Sequence, residues 1–341
     1  MNTFIGPEKN VTFGHFNEPI GPVNYQDFAL RNAVRDRLGA NEIEKQFVHF
    51  HFLGLASQQF IAGCSLSYAN QSTTVFFYLF DRKTGEILKR GCRIGENDIG
   101  NFSLNPDDGS THLQGRALDV RFTFDPAHLK KEIEVSLDDI KVLHMTFQEK
   151  TPDFETLRLC TPTGPSGWTY CQKVAGLQAE GELFHNGQRY DLREIGAYAH
   201  HDFTAGFLRQ DTFWNWACLT GQDDAGNVLG LNLSNGVNET GFSENVIWLN
   251  GKRENAGLIS FDYDLDDLSK PWKISSESGR LNLTFRSEGQ YAAQNKSCPL
   301  PFDFHQLFGS FEGTLRLESG DIIRINDIPG FCERQYAVWW K

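Results

Sequence analysis

Short runs of apolar or alternating residues, each closed off by Gly, Asn, Asp or Pro, recur along this chain from Gln46 almost to its last residue. QFVHFHFLGLA, QFIAGCSLSYA, TTVFFYLFD, LDVRFTFD, KEIEVSLD and KVLHMTFQ follow one another at roughly 8–14 residues, the spacing of an antiparallel sandwich or barrel. The pattern predicts an all-β fold. Turn chemistry agrees, because DRKTGE, FHNGQR, DDAGNV and LNGKRE supply the Gly or Asn-Gly that tight hairpins need for positive φ. One charged stretch, Phe28 to Leu38, is expected to form a helix of about two to three turns.

About a dozen strand segments lie between Gln46 and Tyr198 and about eight more follow, too many for one small barrel. Two antiparallel β domains are expected, 1–165 and 166–341, divided at the turn-rich CTPTGPSGW, with a cut near residue 211 as the alternative. FYLFDRKTGEIL and VIWLNGKRENAGL echo each other faintly and leave an internal duplication open. A chain of 341 residues buries a core of this kind without disulfides.

The seven cysteines (Cys64, Cys92, Cys160, Cys171, Cys218, Cys298 and Cys332) are scattered, with no CxxC or CxxH spacing, and read as free thiols in a reducing compartment. A net charge of −12 disfavours a polyanionic partner, so no nucleic acid is expected. No run approaches the ~18 apolar residues of a membrane span, and MNTFIGPEKNVTF lacks the basic and apolar regions of a signal peptide. A cytoplasmic protein is the expectation. GxGxxG and GxxxxGK[ST] are absent, so a nucleotide cofactor is not expected. The 28 Phe, 9 Tyr and 7 Trp against 2 Met suit facing sheets, or the lining of an apolar ligand space.

Polar residues concentrate in one stretch, AHHDFTAG, TFWNWACLTG, LGLNLSNG and SENVIWLNGK. An unpaired polar group in a buried strand costs on the order of 1–3 kcal/mol, so the stretch is a satisfied network or a site. Strand alternation puts His200 and Asp202 on one face and His201 on the other. A carboxylate beside His200 would orient and charge the imidazole for acid or base work. Trp214 and Trp216 share a face with Cys218, either as a wall able to stabilise a cation or as ordinary packing between domains. Asn232 and Ser234 alternate with Leu229, Leu231 and Leu233. Glu244 is the second candidate acid, its carboxyl raised by desolvation if it lies near Trp214 and Asp202. Arg209 and His305 are weaker candidates for ligand contact. Adjacent histidines on a strand are poor chelators, so no metal is expected.

With FLGLASQQFIAGCSLSYANQSTTVFFYLFDRKTGEIL, DFTAG, WNWA, GLNLSNG, ENVIWLNGK and QLFGSFEGTL…IPGFCERQYAVWW, the chain resembles the bacterial family catalogued as domain of unknown function 2804, from about Phe47 to Trp340. That family is distantly similar to the AttH-like superfamily, two-domain lipocalin-like proteins that include carotenoid hydratases, kievitone hydratase, tocopherol cyclase and β-barrel Diels-Alderases. Asp202 with Gly206, then Trp214 with Trp216, match the order of the relatives' D-h-x-x-G and W-x-W elements. The relatives carry a tryptophan before the Asp and a His after it, whereas His200 and His201 precede Asp202 here. The resemblance implies two lipocalin-like β domains with few short helices. It also implies a cofactor-independent enzyme acting on an apolar, terpenoid- or lipid-like substrate by hydration, cyclisation or isomerisation between them. The alternative is a carrier that binds such a molecule unchanged, and a solid aromatic core would favour a structural module.

Overall fold

The computed structural model describes residues 3–95, 99, 101–115, 117–149, 153–237, 241–296 and 300–340. It opens with β1 (Gly14–His15), a 3-10 turn at Tyr25–Asp27 and α1 (Ala40–Gln46), followed by β2 (Val48–Ala56), β3 (Phe60–Ala69), β4 (Ser72–Asp81) and β5 (Glu86–Ile94). A second meander comprises β6 (Gly109–Gly115), β7 (Leu118–Asp125), β8 (Lys130–Leu137) and β9 (Ile140–Gln148). Next come β10 (Leu157–Thr163), β11 (Gly167–Gln178), β12 (Glu180–His185), β13 (Gln188–Asp191) and β14 (Tyr198–Gly206). The last group is β15 (Asp211–Gln222), β16 (Val228–Asn235), β17 (Val246–Leu249), β18 (Lys252–Asn255) and β19 (Ile259–Asp262). It ends with β20 (Trp272–Ser276), β21 (Leu281–Asn295), β22 (Phe302–Arg316) and β23 (Ile322–Val338).

These strands make three antiparallel sheets, ordered β1-β10-β11-β14-β2-β3-β4-β5, β13-β12-β9-β8-β7-β6 and β18-β17-β16-β15-β23-β22-β21-β20-β19. The fold is all-β and lipocalin-like, as the strand pattern and the resemblance implied. One face of the first sheet, with Leu53, Leu55, Phe77 and Leu79, packs on Phe122, Ile133, Val135 and Met145 of the second. Its other face, with Phe52, Ile61, Phe80 and Leu159, packs on Trp216, Trp248, Phe308 and Phe331 of the third. The third sheet curls until β16 meets β19, enclosing Leu231, Trp272, Phe285 and Phe311.

The first sheet is therefore the middle layer of three. At its centre, all nine residues of β14 are buried, flanked by β11 and β2 and covered on both faces. Strands β11 and β14, which follow the expected division at residue 165, belong to this middle sheet, and the chain changes sheet between Gly206 and Asp211.

Hairpins form at the turns read from the sequence. Asn186 and Gly187 (φ 49° and 74°) link β12 to β13, and Asn250 and Gly251 (φ 49° and 85°) link β17 to β18, with both central residues left-handed as a type I′ turn requires. The expected helix at Phe28–Leu38 does not form. Asn32 Oδ1 accepts the N–H groups of Val34 and Asp36, Arg35 takes φ 76°, and Arg31 bridges to Arg37, so a side-chain turn captures the backbone groups a helix needs. The helix comes just afterwards, at Ala40–Gln46, where the Glu42 carboxylate accepts the Gly39 N–H. The six described cysteines are free thiols; Cys298 lies outside the described residues.

Candidate functional site

The layer between the first and third sheets collects most of the polar residues singled out from the sequence. Strand alternation turns His200, Asp202 and Thr204 of β14 toward the third sheet, along with Cys171, Lys173 and Ala175 of β11 and Phe52 and Gly54 of β2. Trp214, Trp216 and Cys218 of β15 face them, beside Phe331, Glu333 and Gln335 of β23 and Gln306 and Phe308 of β22.

Lys173 lies directly across the strand pair from Asp202, and its ammonium sits 2.6 Å from the Asp202 carboxylate, which also accepts the Thr204 hydroxyl at 2.8 Å. The same ammonium lies 4.8 Å from the centre of the Trp216 ring. Burial alone would lower the Lys173 pKa, but the charges of Asp202 and Glu244 outweigh it and hold the group above its ordinary value. Asp202 is thus one half of a buried ion pair.

Glu244 is buried against Lys173 and the Cys171 thiol. Trp216 Nε1 donates to Asn232 Oδ1 at 2.8 Å, and Asn232 Nδ2 donates to the Glu244 carbonyl at 2.9 Å, tying three of the expected residues together. Asn215, on the opposite face of β15, is satisfied by Asn235 and by the Tyr263 hydroxyl.

The acid best suited to donate a proton is Glu333. Trp214 Nε1 donates to its Oε1 at 2.7 Å and Gln306 Nε2 to its Oε2 at 2.9 Å, so both oxygens are fixed. Full burial raises its pKa to about 7, with the nearby Asp202 charge adding to the rise and the two hydrogen bonds and Lys173 opposing it. Half-buried Phe50 packs against Trp214, and half-buried Phe76 against Phe304.

Several polar atoms of this layer are buried without a hydrogen-bond partner: both ring nitrogens of His200, the Tyr78 hydroxyl, and the Oε1 atoms of Gln306 and Gln335. The His200 ring stacks on Phe52 and meets Phe331 edge-on, each with centroids 5.4 Å apart. Burial, assisted by His201, lowers its pKa to about 3, so the imidazole is neutral at physiological pH.

A family model described as domain of unknown function (DUF2804) matches residues 23–339. The chain belongs to that family. No curated protein matches it by sequence. Among solved structures, CghA with Sch210972 aligns at a TM-score of 0.53 and 11% identity, over 99% of this chain and 97% of that one. Kievitone hydratase from Nectria haematococca aligns at 0.53 and 11%, over 85% and 89%. The AttH-like protein of Nitrosomonas europaea aligns at 0.49 and 10%, over 87% and 93%. At such identities the likeness to CghA and kievitone hydratase describes the fold alone.

His201 of this DUF2804 chain points the other way, into the sandwich of the first and second sheets. Its Nδ1 lies 3.0 Å from Glu149 Oε1 and its Nε2 lies 2.9 Å from His51 Nε2. Glu149 also accepts the Thr156 hydroxyl and the Gln172 amide, each at 3.1 Å, and Lys131 sits 3.8 Å away, 2.5 Å from Asp107. Burial would raise the Glu149 pKa, but Lys131, the His201 hydrogen bond and Arg158 outweigh it, so the group is a carboxylate. A carboxylate only accepts, so His201 Nδ1 carries a hydrogen.

The remaining candidates lie apart from both networks. Arg209 donates to the Gly236 carbonyl near the surface, and His305, on the face of β22 opposite Gln306, bonds to Asp303 and Gln294. A groove of about 610 Å³ among Ile87, Leu88, Val142 and Phe184, and another of about 350 Å³ beside His112 and Arg121, open on the first two sheets, away from Glu333. Among the described residues no three His, Cys, Asp or Glu side chains converge as a metal requires, and no helix is long and apolar enough to cross a membrane.

Lys173, Glu333, Glu149 and Tyr78 were not singled out from the sequence. Lys173 carried a signal, as a lone cation inside the apolar run from Trp168 to Leu177; Glu333 sits beside Phe331 and Cys332 in a similar way.

Proposed function

We propose that this protein is a cofactor-independent acid–base enzyme acting on an apolar small molecule held between its first and third sheets, by hydration, cyclisation or isomerisation of a carbon–carbon double bond. The observation that carries the reading is Glu333: a buried carboxyl with both oxygens fixed, one by the Trp214 indole and one by the Gln306 amide, whose pKa burial raises to about 7. In the forward step Glu333 gives its proton to one alkene carbon, and the positive charge left on the other carbon is stabilised by indole faces. Trp216 already holds the Lys173 ammonium against its ring. Water or an internal nucleophile adds to the cation, and the proton it sheds, or one lost from a neighbouring carbon, restores Glu333. Asp202 is fixed in an ion pair with Lys173, and the Glu244 charge acts on the same ammonium.

The likeness in fold to a kievitone hydratase and to CghA with its ligand supports a small-molecule reaction of this class. The test is incubation of the purified protein with an apolar extract of its own host, followed by mass spectrometry. A compound is expected to gain the mass of water, or to change retention at constant mass, with wild-type protein and not with Glu333→Gln of unchanged fold. A compound that co-purifies and is released unaltered by both proteins would replace the enzyme with a carrier.

A further inference from the structure

Two glycines face each other in the middle sheet, and the side chains on either side of them lean together. His200, Gly54, Gly63 and Tyr78 form one row of directly paired residues across β14, β2, β3 and β4. A Cβ on Gly54 would lie 2.3 Å from His200 Nε2, and one on Gly63 would lie 2.6 Å from the Tyr78 hydroxyl. The imidazole therefore reaches over Gly54 from one end of the row and the phenol over Gly63 from the other.

Directly paired residues hold their Cβ positions about 4.5–5.5 Å apart, so Nε2 and the hydroxyl are separated by at most about 10 Å. Both are fully enclosed, and neither has a partner. Phe52 Cζ would lie 2.6 Å from the same Gly63 Cβ, so the Phe52 ring fills the space between them.

We propose that His200 and Tyr78 together bind the carbonyl oxygen of the substrate, which is an apolar molecule bearing an α,β-unsaturated ketone. A neutral imidazole and a phenol each offer one hydrogen to a single oxygen, which takes the place the Phe52 ring holds between them once that ring turns aside. Two charged donors would bind an anion instead; two neutral ones suit a carbonyl and strengthen their hold as charge develops on it. This rests on the enzymatic reading above and names its substrate class.

On such a substrate hydration runs through negative charge on the carbonyl oxygen, in place of the cation formed from an isolated alkene, and it balances. The oxygen of water bonds to the β-carbon, the π electron pair moves to the α-carbon and takes the Glu333 proton, and the proton shed by the added water returns to Glu333. Glu333 lies close enough to Tyr78 to act on the phenol electrostatically, which places acid and carbonyl site in one neighbourhood.

Burying polar groups without partners lowers stability, so removing them relieves the fold even as it removes binding. That separates ligand recognition from a structural role. The probes are benzylideneacetone, its allylic alcohol and β-methylstyrene, measured by titration calorimetry, with infrared spectra of the bound ketone. The ketone is expected to bind about tenfold tighter than the hydrocarbon, and its C=O stretch to move to lower wavenumber. Tyr78→Phe and His200→Leu should each lose about tenfold in ketone affinity while unfolding at or above the wild-type midpoint.

Equal affinity for ketone and hydrocarbon, an unshifted carbonyl band, or variants that bind ketone as the wild type does would overturn the proposal. So would tighter binding of the alcohol, or a His200→Leu or Tyr78→Phe protein that unfolds earlier. The two readings fail separately. Glu333-dependent turnover of the host extract with an unshifted probe band removes only the carbonyl site; a shifted band without any turnover removes only the reaction.

Discussion

Glu333 and the buried histidines pull the pH dependence of stability in opposite directions. Below its unfolded value of 4.5, Glu333 is protonated in both states; between 4.5 and about 7 the unfolded chain releases a proton that the folded one keeps, so stability falls as pH rises. The loss levels off above about 7, at about 3 kcal/mol. The histidines act with the other sign. Below 6.5 the unfolded chain takes up protons that His49, His51 and His200 refuse when folded, His49 down to about 4 and His200 to about 3. Each costs up to about 1.4 kcal/mol per pH unit, and three histidines outweigh one glutamate. Stability is therefore expected to peak near neutrality and fall steeply below pH 6. In Glu333→Gln the acid slope should steepen, because the opposing proton is gone. Urea midpoints from pH 5 to 8 check this, and superimposable profiles for the two proteins would contradict it. Alternation sufficed to place His200 with Asp202 and Trp214 with Trp216 on common faces. Their ion-pair and hydrogen-bond partners were not legible, because Glu333 lies 119 residues from Trp214 and the register joining them is set by sheet packing.

At the scale of the strand, the all-β class and most turns could be read directly, since both depend on local chemistry repeated many times. The order of strands could not. β14 hydrogen-bonds to β2, about 150 residues earlier, and a sequence of alternating residues does not name its neighbour. The Gly54–Gly63 pair illustrates the difference, because each glycine is unremarkable alone and meaningful only opposite the other. Gly54→Ala is expected to destabilise the protein by about 1–3 kcal/mol, since the new methyl meets the His200 ring and, at 2.6 Å, the Ala62 carbonyl, which cannot swing away. Chemical denaturation measures this, and a neutral substitution would mean that His200 does not lie over Gly54.

Across the whole molecule, one sheet supplies a wall to two cores. Residues 3–208 without the third sheet would expose Phe52, Ile61, Phe80, Leu157 and Leu159 together. A segment of that length is expected to bind a hydrophobic dye and lose near-ultraviolet dichroism, while the full chain unfolds in one transition. A well-packed, dye-negative segment would show the layers to be independent. The burial of β14 on both faces also bears on how the chain finds its pairing. In a half-exposed strand, a slip by one residue is punished by turning apolar side chains into water. For β14 both destinations are dry, so hydrophobicity offers little guidance on alignment. What a slip would break are two polar matches on opposite sides, Asp202 with Lys173 and His201 with Glu149. Those pairs act as keys cut on both edges of one blade, and only one alignment of β14 turns both locks.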